Sequence, residues 1–281
     1  MTTQRIYIGW VMTYLAPVDI DLARRLERAE ALASAACIES RRALQPDVGS
    51  AWISVAGAYA MYDGASSPLT QTFGIGLYSP FLAGEFEQVE EFFSARGAAT
   101  SHEVCSFAAH DTQCVLSERN YSPMEASVVL IRGTADSPRQ EHSGFAVRAI
   151  EPADAGTWSQ TAAAGWANEM PELTSFLEEL GAVVSRARGV TCFLAEENGE
   201  PVAAATLNIH NGVALFAGAA TIPEARRRGA QSQLLRSRLA FAEASGVDTA
   251  MIVTQPGSLS QRNAERQGFV PVYSRTKWTK M

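Results

Sequence analysis

The chain has 281 residues, a formal net charge of −7 from 23 basic and 30 acidic side chains, and 47% hydrophobic residues. The apolar fraction supports a buried core and excludes a disordered chain, while the length suits one large domain or two ordinary ones. The acidic balance excludes a general nucleic-acid binder, and no apolar run approaches the roughly 18 residues that suggest a membrane span.

Ile6 to Val18 follows Arg5 and is fairly apolar. Gly9, Thr13, Tyr14 and Pro17 interrupt it and no clean small-x-small site follows, so it reads as an ordinary N-terminal segment and not a signal peptide. Leu22 to Arg42 has helical spacing with charges three and four apart, and is expected to be a surface helix. A helix ending before Gly97, a buried strand from Val104 to Phe107 and a strand from Ala126 to Arg132 follow. Cys37, Cys105, Cys114 and Cys192 are scattered, which fits reduced thiols in a cytosol. His102, Cys105, His110 and Cys114 have spacing that could suggest zinc. The odd separation of His102 and Cys105 puts them on opposite faces of a strand, so packing is expected and no metal.

Gly133 to Gly144 is polar, contains Pro138 and lacks apolar periodicity, as a linker does. Beyond it, Phe145 to Ile150 alternates as a strand, and helical segments reach Trp166 and run from Glu172 to Arg186. Cys192 to Glu197 and Pro201 to His210 form a hairpin around Asn198-Gly199, and a second Asn-Gly turn at 211–212 leads into a strand from Val213 to Ile222. Pro223 to Gly229 is a basic loop. Ser232 to Ser245 is an amphipathic helix with Leu234, Leu235, Leu239 and Ala242 on one face, closed by Gly246. A buried strand from Asp248 to Thr254, a short helix from Ser260 to Gln267 and a last strand from Phe269 to Trp278 complete the chain.

The first half repeats the end of this order. At an offset of 148 positions, Phe93 falls on Phe241, Tyr121 on Phe269 and Pro123 on Pro271. A fixed offset of this kind suggests duplication. The expected division is residues 1–135, a linker at 136–144 and residues 145–281, in an α/β architecture of two units, each a twisted mixed sheet flanked by helices.

The chemistry concentrates in Arg226-Arg-Arg-Gly-Ala-Gln-Ser232, which joins a strand to a helix. Amides at a helix N-terminus are unpaired and favour anions. Gly229 and Ala230 let a phosphate approach the backbone, and Arg226, Arg227 and Arg228 add positive charge to an acidic protein. With this loop and the order of elements around it, the half from Phe145 to Met281 resembles the GCN5-related N-acetyltransferase (GNAT) superfamily. The family loop reads Arg/Gln-x-x-Gly-x-Gly/Ala. Arg226 and Gly229 match, and Gln231 departs from the pattern. Gly268-Phe269 before the last strand also fits.

The resemblance implies acetyl-CoA as co-substrate, held at Arg226 to Ser232, with its pantetheine arm along Ala220, Thr221 and Ile222. It implies direct transfer of the acetyl group to an amine. The acid that many relatives carry as tyrosine falls here on Ala264. Ser260 and Asn263 are nearby hydrogen-bond donors, and Tyr273 could substitute if its ring faces the cleft. His210 has a suitable intrinsic pKa for a base, and a water chain is equally compatible. The first half has Tyr78 to Ala83 in place of the basic loop, with Pro80 removing a donor, so it is expected to be degenerate and structural.

The expected function is a cytoplasmic N-acetyltransferase acting on a small-molecule amine, the net acidic charge favouring a cationic acceptor such as an aminoglycoside or a polyamine, without metal, nucleic acid or membrane partners. The alternatives are a non-catalytic acyl-CoA sensor and a protein lysine or N-terminal acetyltransferase. The last strand could pair across a homodimer or complete its own sheet.

Overall fold

The computed structural model describes residues 18–135, 144–167 and 174–280. The apolar N-terminal segment, but for Val18, and most of the linker lie outside them.

The first half contains α1 (Ile20–Leu44), β1 (Ala51–Val55), β2 (Ala58–Tyr62), β3 (Gln71–Phe73), α2 (Ala83–Ser94), β4 (Thr100–Cys105), α3 (Thr112–Glu118) and β5 (Ser122–Gly133). The second contains β6 (Ala146–Ala149), α4 (Ala155–Trp166), α5 (Thr174–Val184), β7 (Val190–Glu197), β8 (Glu200–His210), β9 (Val213–Thr221), α6 (Ala230–Ala244), β10 (Thr249–Thr254), α7 (Leu259–Arg266) and β11 (Val270–Lys280). Local chemistry accounts for many boundaries. Asn198 and Gly199 have φ of 53° and 86°, the positive angles a two-residue hairpin turn demands. Asp19 caps α1 by accepting from the Leu22 amide at 2.8 Å, and Ser258 caps α7 by accepting from Gln261 at 3.1 Å.

Among the described residues the eleven strands form one sheet, in the order β1-β2-β3-β4-β11-β5-β10-β9-β8-β7-β6. The duplicated unit is visible as β3-α2-β4-α3-β5 and β9-α6-β10-α7-β11. In each copy the first two strands pair in parallel. The last strands are exchanged. β11 lies between β4 and β5, and β5 lies between β11 and β10. The final strand is therefore central and has no free edge. It neither pairs across a dimer nor simply extends its own half, as the sequence alone suggested.

Alternation along each strand sorts the helices. Leu130 packs with Leu234 and Ala264, and Val104 with Phe86 and Leu116, which puts α2, α3, α6 and α7 on one face. Val129 and Ile131 pack with Leu26 and Ala29, and Leu194 with Trp158, which puts α1 and α4 on the other. His102 and Cys105 do lie on opposite faces.

α1 corrects the sequence reading. It is not a surface helix: Ala23, Leu26 and Ile38 are 0% exposed. Its small residues Ala29, Ala31, Ala33, Ala35 and Ala36 let it lie close on the sheet, and two of its charges, Glu27 and Arg41, turn inward and pair. Glu27 accepts from the Tyr273 hydroxyl at 2.8 Å and from Arg275 Nε at 2.6 Å. Arg41 meets Asp63 at 3.0 Å, both buried. Losing one member of such a pair costs about 3–5 kcal/mol, because the other is left buried and uncompensated.

Candidate active site

The site begins with a break in the sheet. β9 and β10 pair from Val213↔Thr249 to Phe216↔Ile252 and no further, although β9 runs on to Thr221. The cause lies on the other side of β9. Its register with β8 shifts between Thr206↔Ala217 and Ala204↔Ala220, a bulge with Gly218 at φ 58°. A bulge bends its strand. β9 swings away from β10 and leaves a V-shaped gap edged by the backbone of Ala217 to Thr221.

The N-terminus of α6 opens just beyond the end of β9. Gly229 stands at its N-cap with φ 100°, and no side chain caps it. The Gln233 amide is the one that bonds to Gly229 O, so the amides of Ala230, Gln231 and Ser232 lack acceptors within the helix. Arg227, Arg228 and Gly229 are exposed, and a Cβ built on Gly229 meets nothing within 4 Å. Free amides, a left-handed glycine and flanking cations suit a pyrophosphate.

The three arginines have different surroundings. Arg226 Nε donates to Thr221 O at 3.1 Å and its Nη2 to Gly165 O at 2.7 Å, tying the loop to the tip of β9 and the end of α4. Arg228 pairs with Glu197. Arg227 has φ 62°. Gln231, the departure from the family pattern, donates to Thr221 Oγ1 at 2.8 Å, so its side chain braces the loop against β9. Ala220, Thr221 and Ile222 form the tip itself, with the Ile222 amide donating to Val202 O.

α7 opens past the end of β10, on the same face as α6. Ser260 is exposed and Asn263 half-buried, its Oδ1 accepting from Arg266. Ala264 is buried at 1% exposure, in the core against Leu234 and Phe269.

Two sequence candidates stand elsewhere. His210 pairs with Val213 at the opposite end of β9. Seven residues of strand separate Val213 from Ala220, about 23 Å at ~3.3 Å per residue. Burial and the nearby Arg188 lower the pKa of His210. Tyr273 faces α1, not the α6–α7 side, and its hydroxyl is committed to Glu27.

Three residues that position the site escaped the sequence reading. Gly218 makes the bulge, and an isolated glycine inside an apolar strand was its signal. Arg238 sits four residues after Leu234 and so shares the apolar stripe of α6, a placement that asked for explanation. Gly165 gave no signal. A Cβ on it would lie 2.5 Å from Ala220 Cβ and 3.0 Å from the Thr221 amide nitrogen, so α4 touches the tip of β9 backbone to backbone.

The first half lacks this gap. β3 stops at Phe73, and Gly74 and Gly76, at φ 86° and 66°, turn the chain away. Where β9 runs on past its pairing with β10, Tyr78 instead packs inward. Its ring lies beneath the Arg28 guanidinium at 4.2 Å and its hydroxyl donates to Arg24 O at 2.9 Å. Among the described residues no group of side chains is arranged to hold a metal, and no helix is long and apolar enough to cross a membrane.

Residues 155–269 match the Acetyltransferase (GNAT) family model. No curated protein matches the sequence. Among solved structures, a GCN5-related N-acetyltransferase from Kribbella flavida is 20% identical, with TM-score 0.62 over 87% of this chain and 95% of that one. One from Sphaerobacter thermophilus is 15% identical, with TM-score 0.55 over 79% and 76%. A tandem GNAT protein from the clavulanic acid biosynthesis pathway is 11% identical, with TM-score 0.57 over 94% and 97%. At these identities the structures speak to fold, and the family match speaks to the domain that carries the gap and the basic loop. Residues 155–269, which carry the gap and the basic loop, thus match the acetyltransferase (GNAT) family model, and the chain around them has the fold of GCN5-related N-acetyltransferases, a tandem one among them.

Proposed function

We propose that the protein is a cytosolic N-acetyltransferase that moves the acetyl group of acetyl-CoA to a primary amine of a small molecule, with one working site per chain in residues 145–281. The observation that carries this reading is the coincidence of the β9–β10 gap with the uncapped N-terminus of α6. The amides of Ala230, Gln231 and Ser232, with Arg227 and Arg228 beside them, hold the pyrophosphate. The edge of β9 from Ala217 to Ile222 pairs with the pantetheine amides, braced by Arg226 and Gln231. Bound acetyl-CoA supplies an activated acyl group: the amine nitrogen forms a bond to the thioester carbon, the C–S bond breaks, and the thiolate leaves.

The chain's own groups serve the protons and charges. Amides freed from the β9–β10 ladder steady the developing oxyanion. Ser260 or Asn263 on α7 donates a hydrogen bond to the departing sulfur. With His210 at the far end of β9, the amine proton leaves to water. The net charge of −7 favours a cationic acceptor. The first half, residues 1–135, is a degenerate copy that supports the active one across the linker at 136–144.

The test is a calorimetric titration of acetyl-CoA, with Ser232→Glu as the binding-deficient variant. A carboxylate in the first turn of a helix favours the helix dipole but repels a phosphate, so folding survives while binding is lost. One site per chain, lost in the variant, followed by thiol release only when an amine is added, supports the enzyme. Binding without turnover on any amine favours an acyl-CoA sensor, turnover only on peptides favours a protein acetyltransferase, and two sites refute the degenerate first half.

A further inference from the structure

We propose that Arg238 is a positioning residue that holds the β9 bulge open and so fixes the pantetheine edge relative to the α6 amides; this rests on the acetyl-CoA reading above. Arg238 is 2% exposed in the core between α6 and the sheet. Its Nη1 donates to Thr206 O at 2.8 Å and lies 3.5 Å from Ala217 O. Its Nε donates to Leu234 O at 3.2 Å, and the guanidinium sits over the Phe216 ring at 4.9 Å. Among the described residues no carboxylate pairs with it, and burial pulls its pKa down to about 9.

A buried arginine without an anion needs a reason. Thr206 and Ala217 are the register pair at which the β8–β9 ladder slips. A bulge leaves ladder carbonyls short of amides, and a buried carbonyl without a donor is costly. Arg238 supplies donors at that point. An apolar side chain of similar length would fill the same space and orphan both oxygens. β9 would then recover its bonds by straightening, extending its pairing with β10 past Phe216↔Ile252 and closing the gap. Arg238 also stands eight residues into α6, about 12 Å from the helix mouth at 1.5 Å per residue. One rigid helix therefore carries both the anion site and the clamp on the bulge.

The experiment compares two ligands on the full chain by calorimetry: acetyl-CoA, and adenosine 3′-phosphate 5′-diphosphate, which has the diphosphate but no pantetheine arm. Arg238→Met should leave the fragment's Kd within about twofold while weakening acetyl-CoA at least about tenfold, since a displacement of ~1 Å at a positioned contact is costly on that scale. Arg238→Lys, which keeps one donor, should fall between, and carries the comparison alone if the Met variant does not fold. A general loss of stability would weaken both ligands together. If acetyl-CoA binds the wild type and the ratio of the two affinities is unchanged in the folded variants, the role of Arg238 is wrong and the cofactor reading stands. If the wild type binds neither ligand, both fall.

Discussion

Gly165→Ala tests whether the tip of β9 is held by direct backbone packing. Alanine at this position of α4 puts a Cβ 2.5 Å from Ala220 Cβ, 3.0 Å from the Thr221 nitrogen and 3.2 Å from the Ala220 carbonyl carbon. Non-bonded carbons prefer about 3.5–4.0 Å, so either α4 or the strand must retreat by ~1 Å. The neighbours are backbone or Cβ, and no flexible side chain can yield. Overpacking of this kind costs about 1–3 kcal/mol, while alanine recovers at most ~1 kcal/mol of helix propensity over glycine. The net loss should lie between about 0 and 3 kcal/mol, centred near ~1–2 kcal/mol, or a Tm lower by roughly 2–8 °C at that centre for a chain of this size. Because the moving part is the pantetheine edge, Kd for acetyl-CoA should rise at least about tenfold. Gly156→Ala is the control on the same helix, where a built Cβ meets nothing within 4 Å. Thermal denaturation and calorimetry read the two effects. Equal behaviour of the two variants, or an unchanged Kd in Gly165→Ala, would refute the packing argument.

Other expectations follow from the same geometry. Burial pulls the His102 pKa down to about 3, and both ring nitrogens are buried without partners. Its folded-state pKa is below the unfolded value of about 6.5, so the unfolded chain gains a proton first and stability falls as pH drops from ~6.5 toward ~3. Between pH 7 and 5 this residue should account for about 2 kcal/mol of lost stability, a loss absent from the denaturation curves of His102→Phe. His210→Ala should change kcat by less than about twofold, because the residue lies ~23 Å from the tip of β9; a loss approaching 100-fold would restore it as the base. Cys37, Cys105 and Cys192 are buried with thiols pushed up to about 12, so a thiol reagent should modify Cys114 alone in the native protein and all four cysteines in denaturant. Residues 144–281 expressed alone should fail to show a cooperative thermal transition, since β10 and β11 would each lose β5 as a neighbour.

Local signals carried most of the elements into view. Asn198-Gly199, Asn211-Gly212 and Gly246 mark their turns because left-handed backbone restricts the residue choice, and the loop from Arg226 to Gln231 sits at the helix mouth where its composition placed it. The offset of 148 matches the ranges of β5 and β11 because the two units share their register through the last strand. What stayed hidden was non-local. Periodicity shows that β11 is a strand but not that it pairs with β4, whose residues lie far back in the chain. The charges of α1 look solvent-facing until Tyr273 and Arg275, on that same distant strand, supply their partners. His210 stands at the end of its hairpin strand, as the Asn211-Gly212 turn implies. The length of β9, which separates it from the gap, is a property of the folded strand that the turn signal alone does not carry. Gly165 is legible only once α4 and β9 are seen in contact.

The exchanged strands also bear on how the chain is made. β5 is made well before its neighbour β11, the last element among the described residues. At ~5–20 residues per second, the roughly 140 residues from Gly133 to Val270 take about 7–30 s to emerge. Throughout that interval the edges of β4 and β5 that β11 will cover stand open, and open edges recruit other strands. The first half therefore cannot close its sheet as it leaves the ribosome, and the nascent chain must wait, with its central seam unzipped, for β11 to be made.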